Sequence, residues 1–235
     1  MNIIDLAVIG VLVICVAVGY YRGFFISLLD LCAVVLCTVI SLLFYRVMAR
    51  GIAGESLRQT LFGFTESSDI IGSIEVYRTS VVGMDASTLS AVLERLNLPY
   101  PLAGMLGDNI RGAVYATHGY VYLGDYLGMT IVDMSLCIIG YMMFFGISLV
   151  LSLFIIRTVA FVREFPVLKR WDSLSGALFG LLFGVGICFT VFMAAPVMMA
   201  FLPFQELQYL LDGSVFAGFF YKSNLLLGQI SSFLG

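Results

Sequence analysis

Charge is what this sequence has least of. Only 11% of its 235 residues are Asp, Glu, Lys or Arg, and 61% are hydrophobic, whereas a soluble domain carries about a quarter charged residues. That imbalance excludes a water-soluble globule. Lysine is nearly missing, with Lys169 and Lys222 alone, and the net charge is −3, so no basic field exists to hold a nucleic-acid backbone and nucleic acid is not expected as a partner. Histidine occurs once, at His118, in a Gly/Tyr-rich stretch with no neighbouring Ser or Cys pattern that would make it part of a nucleophilic set. The five cysteines, Cys15, Cys32, Cys37, Cys137 and Cys188, show neither Cys-x-x-Cys nor Cys/His ligand spacing. All five fall in apolar stretches, where a thiol behaves as a small hydrophobe, so neither a disulfide framework nor a structural metal is expected. The HExxH, GxGxxG, GxSxG and P-loop patterns are also missing. Metalloprotease, dinucleotide, hydrolase and nucleotide-triphosphate chemistries therefore lack their motifs, and no cofactor is expected.

What the chain has instead is long apolar runs, at 3–19, 24–45, 131–156 and 175–202, under a mean hydropathy of +1.05. About 20 helical residues at 1.5 Å each cross a hydrocarbon core of roughly 30 Å. Inside the four runs stand only three charges: Asp5, Asp30 and Asp133. The pattern predicts an all-α membrane protein, a single domain over 1–235 with the lipid bilayer as its first partner. Four transmembrane helices would form two antiparallel hairpins, an extramembrane, partly helical insertion would occupy 46–130, and an amphipathic tail would follow over 203–235. The first run has neither a basic leader nor a small-x-small cleavage site, so it reads as a retained span. Tyr20, Tyr21, Arg22 and Gly23 are all that separates spans one and two, which demands a tight turn relieved by Gly19 and Gly23. Pro196 should kink span four or end it near Ala195.

Orientation follows from Lys and Arg in short loops. Arg22, in the first turn, and Arg157, Arg163, Lys169 and Arg170, between spans three and four, place those loops in the cytoplasm, with both termini and the 46–130 segment outside. Arg46, Arg50 and Arg58 close behind span two argue the other way, and are discounted as belonging to a long loop. That segment is too thinly apolar to be a self-sufficient enzyme domain and should pack on the membrane surface. Asp85 can cap a helix over Ala86 to Leu96, on which Leu89, Val92, Leu93 and Leu96 share a face. A weaker helical pattern follows through Leu102, Met105, Leu106 and Ile110, and a Gly/Tyr-rich stretch from Tyr115 to Tyr126 suits a headgroup boundary. Ser73 to Arg78 alternates like a short strand.

Two features carry more information. Asp172, Gly176, Gly180, Gly184 and Cys188 recur every fourth residue, so three glycines form a smooth stripe for close approach of another helix, in this chain or in a second copy. Asp30 lies about 9 Å inside the start of span two, where an ionised group costs several kcal/mol unless paired, hydrated or protonated. It is either a proton or ion relay or a hydrogen-bonded structural acid, facing Arg22 or the glycine stripe. Asp5 and Asp133 each open a hairpin in a similar tetrapeptide, Ile3-Ile4-Asp5-Leu6 and Ile131-Val132-Asp133-Met134. That echo marks either a parallel internal repeat or acids placed at the positive ends of helix dipoles.

These residues, in this order, resemble the colicin V production (CvpA) family of bacterial inner-membrane proteins. Asn2 and Asp5 are similar to its Asn-x-x-Asp start, and Gly19-Tyr20-Tyr21-Arg22-Gly23-Phe24 to its Gly-x-x-Arg-Gly-Phe turn. Phe165-Pro166-Val167-Leu168, Asp172 and Gly176-Ala177-Leu178-Phe179-Gly180-Leu181 look like its Pro-Val-Leu loop and Gly-x-x-x-Gly-Leu helix, and Ser214 to Leu225 resembles its amphipathic tail. The family often has an acid shortly after the turn; this chain has Ser27 there and Asp30 further on. The resemblance implies four spans in a bacterial cytoplasmic membrane and a link to toxin export and envelope homeostasis. Three functional readings follow. One is a non-enzymatic scaffold acting through membrane or envelope proteins, or further copies of itself. Another is a small channel or transporter lined by Asp30, Asp5 or Asp133. The third, a membrane enzyme, lacks an assembled acid, base and nucleophile.

Overall fold

Asn2 begins the first helix because its side chain accepts from the Ile3 amide at 2.6 Å, while the Asp5 carboxylate accepts from the Asn2 amide at 3.0 Å. This reciprocal cap satisfies two amides that a helix start leaves without partners. The resulting α1 (Ile3–Arg22) stops at Gly23, whose φ of +82° is a conformation L side chains rarely adopt. Gly23 is the single non-helical residue before α2 (Phe24–Ile52). The computed structural model describes residues 2–66, 74–96, 98, 101–162, 172–201, 209–211 and 213–232.

The next elements are α3 (Glu55–Glu66), α4 (Ile74–Tyr77), α5 (Ala86–Leu96) and α6 (Leu102–Arg111). A single 3₁₀ turn (Ala116–His118) leads to α7 (Leu123–Val162). Then come α8 (Asp172–Phe192), α9 (Ala195–Phe201), α10 (Val215–Lys222) and α11 (Leu225–Ser232). No strand occurs among the described residues; one isolated bridge joins Ser80 to Tyr122. The strand-like alternation at Ser73 to Arg78 is thereby corrected. Ile74 to Tyr77 is a helical turn with the Tyr77 ring packed on Gly124, and Ser73 lies outside the described residues. A period-two pattern without a second strand to pair with leaves its backbone groups unsatisfied, and helix wins.

Among the described residues four helical stretches are long and apolar enough to cross a membrane: Ile3–Arg22, Phe24–Ile52, Leu123–Val159 and Asp172–Met199. Val35, Leu36, Leu43 and Val47 on α2, and Val150, Leu151 and Phe154 on α7, point outward from the bundle, as a multi-pass membrane protein requires. The helices outrun their apolar runs. With 40 residues, α7 is about 60 Å long, twice the hydrocarbon thickness. Its first turns, with Leu123, Tyr126, Leu127 and Ile131 buried, form the core on which α3, α4 and α6 pack. Span four breaks at Met193 and Ala194, and Pro196 falls in the first turn of α9, where its missing N–H is harmless.

Packing does not follow chain order. α1 lies chiefly along α8, antiparallel to it, and α2 lies between α7 and α8. The spans thus have two ends. One carries Arg22, Gly23, Arg157 and Asp172; the other carries Asn2, Ile52, α3 to α6, and the tail helices α10 and α11, which pack on α1, α8, α2, α6 and α7. Of the loop charges used for orientation, Arg163, Lys169 and Arg170 lie outside the described residues, as do Phe165-Pro166-Val167-Leu168 and the 203–208 part of the tail.

Candidate functional site

The glycine stripe and the hairpin-turn glycines meet each other. Along the α1/α8 seam, a Cβ on Gly19 would overlap the Gly176 carbonyl, one on Gly176 would overlap the Gly19 carbonyl, and one on Gly180 would overlap the Cys15 carbonyl. Gly184 sits opposite Cys15 and Leu12. The surface that receives the stripe is therefore α1 of the same chain, at backbone-to-backbone contact. At the head of the seam Asp172 Oδ1 accepts from the Phe24 amide at 2.9 Å, and a Cβ on Gly23 would overlap that carboxylate. One acid of α8 thus caps α2 where Gly23 cannot, placing a negative charge at the positive end of the helix.

Each of the three acids inside the spans fastens two or three segments together. Asp5, 1% exposed, accepts through Oδ1 from the Ser214 hydroxyl at 2.6 Å and the Phe216 amide at 3.2 Å, which ties the start of α10 to the start of α1. Asn2 adds a bond from Nδ2 to the Leu210 carbonyl at 2.8 Å, and Asn224 donates to the Phe189 carbonyl at 2.9 Å. Bonds to a buried charged acceptor contribute roughly 1.5–3 kcal/mol. We therefore expect Asp5→Ala to release α10, read as faster hydrogen exchange at the Phe216 and Ala217 amides, while the α7 amides around Ile138 keep their protection. Unchanged exchange at Phe216 would show that the tail is held by its apolar face alone.

Asp30 is buried and accepts at one oxygen, Oδ2, from two guanidiniums: Arg22 at 3.1 Å and Arg157 at 2.6 Å. Its other oxygen, Oδ1, has no partner among the described residues. Ser27, one turn earlier, donates to the Gly19 carbonyl. Asp133 receives Arg58 at 2.5 Å and the Tyr115 hydroxyl at 2.7 Å, and Asn109 joins that cluster by donating to Tyr115 and to Thr130. Burial first, then the adjacent Asp133 carboxylate, push the Tyr115 hydroxyl well above its ordinary value, so it remains a proton donor to that acid.

The position of Asp133 corrects one expectation. It does not open a helix, because α7 begins ten residues earlier at Leu123, which puts Asp133 about 15 Å from the dipole end. Arg58 and Tyr115 hold it instead. Asp5 alone of the pair sits in a first helical turn. His118 lines a cavity of about 120 Å³ with Arg58, Gln59, Phe62, Tyr120 and Met129. Among the described residues no three His, Cys, Asp or Glu side chains gather as a metal set would.

No family model, curated protein or solved structure matches this chain. Its chemistry must therefore be argued from its own residues. Three partners escaped the sequence reading. Arg157 reads as a loop charge although it lies within α7, and its place immediately after the apolar run hid that it faces back to Asp30. Ser214 carried no signal, being one serine in a tail. Gly140, whose Cβ would lie 2.9 Å from the Ala49 amide nitrogen, marks the close α2/α7 crossing, but a single glycine forms no stripe.

Proposed function

We propose that the chain is a non-enzymatic membrane scaffold of the colicin V production type, working in a bacterial cytoplasmic membrane. Its two helical hairpins support toxin export or envelope integrity by holding other membrane or envelope proteins, or further copies of itself. In this reading the Arg22/Arg157 end faces the cytoplasm, and the termini with the 46–130 segment face outward. The observation that supports it is the use of the acids. Asp5 joins the tail to α1, Asp30 joins α1 and α2 to α7, and Asp133 joins α3 and the segment after α6 to α7.

A relay across the membrane needs titratable groups that share one path and can exchange partners. Asp5 and Asp30 instead stand toward opposite ends of the spans, each fixed by two or more donors. The purified protein in liposomes is accordingly expected to pass protons and small ions no faster than protein-free vesicles. Unaided solute movement would overturn the scaffold reading. The second reading, a small channel or transporter, is favoured by the cavity against Asp30; in that case Asp30→Asn alters the measured flux, and an unaltered flux removes Asp30 from the path.

A further inference from the structure

At the Arg22 end of the spans two cations share one acid. Arg22, the last residue of α1, and Arg157, on α7, both donate to Oδ2 of Asp30, at 3.1 and 2.6 Å, so their donor nitrogens are close neighbours. Asp172, the other described acid at this end, accepts from the Phe24 amide, and among the described residues it forms no ion pair with either arginine. The cluster on Asp30 therefore carries one positive charge in excess. A guanidinium has five N–H donors. Each of these two spends a donor on Asp30 and has no other hydrogen-bond partner among the described residues.

The acid is hidden and the bases are not. Asp30 is 5% exposed, whereas the side chains of Arg22 and Arg157 are 42% and 35% exposed. The surface around them is aromatic: Tyr20 and Tyr21 beside Arg22, Phe24 and Phe25 at the start of α2, and Phe154 a turn before Arg157 are all exposed. Tyrosines so placed mark the headgroup level of a bilayer, and Arg157 is the first residue after the apolar run 131–156. An excess charge at that level calls for a counter-ion, because the neighbouring hydrocarbon solvates ions poorly. The anion held there at high density and fixed height is lipid phosphate. Its two unesterified oxygens suit paired guanidinium forks, which bind phosphate bidentately.

We propose that Arg22 and Arg157 form a binding site for the phosphodiester of an anionic phospholipid such as phosphatidylglycerol, with Asp30 as the buried brace that holds both guanidiniums in place. Basic sites between membrane helices hold lipid headgroups in this way. A zwitterionic lipid brings its own cation with its phosphate and leaves the excess charge unbalanced, so the site discriminates by net charge. The inference needs a bilayer around the four spans, but neither the scaffold reading nor a choice of the side this end faces.

The full chain in a non-ionic detergent is titrated into acyl-labelled phosphatidylglycerol or acyl-labelled phosphatidylcholine at equal mole fraction in the micelle, with binding read by fluorescence anisotropy. Phosphatidylglycerol is expected to bind at least about fivefold more tightly, the effect of one arginine near a charged headgroup. Equal affinities would overturn the proposal without any variant having to fold. Arg22→Gln should lose about that factor for phosphatidylglycerol and leave phosphatidylcholine unchanged. Arg111→Gln removes the same charge from an exposed pair with Asp108 at the other end, and should lose nothing. Equal losses in the two variants would reduce the effect to total charge and refute the site. Sodium phosphate is then compared with sodium chloride of equal ionic strength. The two should weaken lipid binding alike, by screening, and selective displacement by phosphate would overturn the lipid in favour of a free-phosphate site. Anisotropy reads binding and not flux, so this outcome stands apart from the liposome transport assay.

Discussion

Gly176→Leu is expected to lower the stability of the bundle by about 3 kcal/mol or more, at the upper end of overpacking costs, because the new side chain would have to occupy space held by the backbone of Gly19 and Gly23. A flexible neighbour can swing aside; a helix backbone cannot without moving the whole helix. Since lipid tails are as apolar as the side chains they would replace, α1 and α8 associate through close packing rather than through escape from water, and lost contact is not recovered elsewhere. Gly19→Leu should do the same damage from the other side of the seam. Gly10→Ala and Gly146→Ala are the controls: nothing lies within 4 Å of a Cβ at either position. Removing backbone freedom there should be neutral or stabilising by roughly 0.5–1 kcal/mol. Thermal or denaturant unfolding in detergent micelles measures all four. Similar losses at Gly10 and Gly176 would mean that the stripe is not where the helices touch.

That seam shows how much the sequence reveals and where it stops. A four-residue period of glycine is readable because helical geometry converts spacing into a face, and the turn at Gly19-Tyr20-Tyr21-Arg22-Gly23 is readable because two apolar runs leave no room for a longer connection. What no spacing discloses is that these two features are one contact, since each was specified by its own local rule and their meeting is set by how α1 crosses α8. The ends of the helices were hidden for a related reason. Hydropathy reports where the hydrocarbon ends, and α2 and α7 continue beyond it to Ile52 and back to Leu123. In those projecting turns backbone bonding persists while the side chains turn polar. Hence Asp133 looked like a helix-opening acid. α5, by contrast, is found over Ala86–Leu96, where its apolar period ran, because an amphipathic helix resting on α6 obeys the same periodicity that makes it visible.

Asp30 supplies the second large effect. Asp30→Ala is expected to destabilise the bundle by about 3 kcal/mol, the lower end of the range for removing one partner of a buried ion pair. Two guanidiniums would then converge on nothing, but their side chains are 42% and 35% exposed, so both can turn toward water and recover part of their hydration. The same reasoning sets the order of the partner variants. Arg22→Gln should cost less than Asp30→Ala, about 1 kcal/mol, because Asp30 keeps the shorter bond to Arg157. Arg157→Gln should cost more than Arg22→Gln, since Arg157 is the sole side chain among the described residues that holds α7 to Asp30. The combination Asp30→Ala with Arg157→Leu removes the charge and its counterion together, and is expected to recover a good part of the single-variant loss, as replacement of a buried pair by apolar groups often does. If Asp30→Ala and the double variant unfold alike, the loss lies in a cavity rather than in unpaired charge, and the acid is not what binds α1, α2 and α7 at this end of the spans.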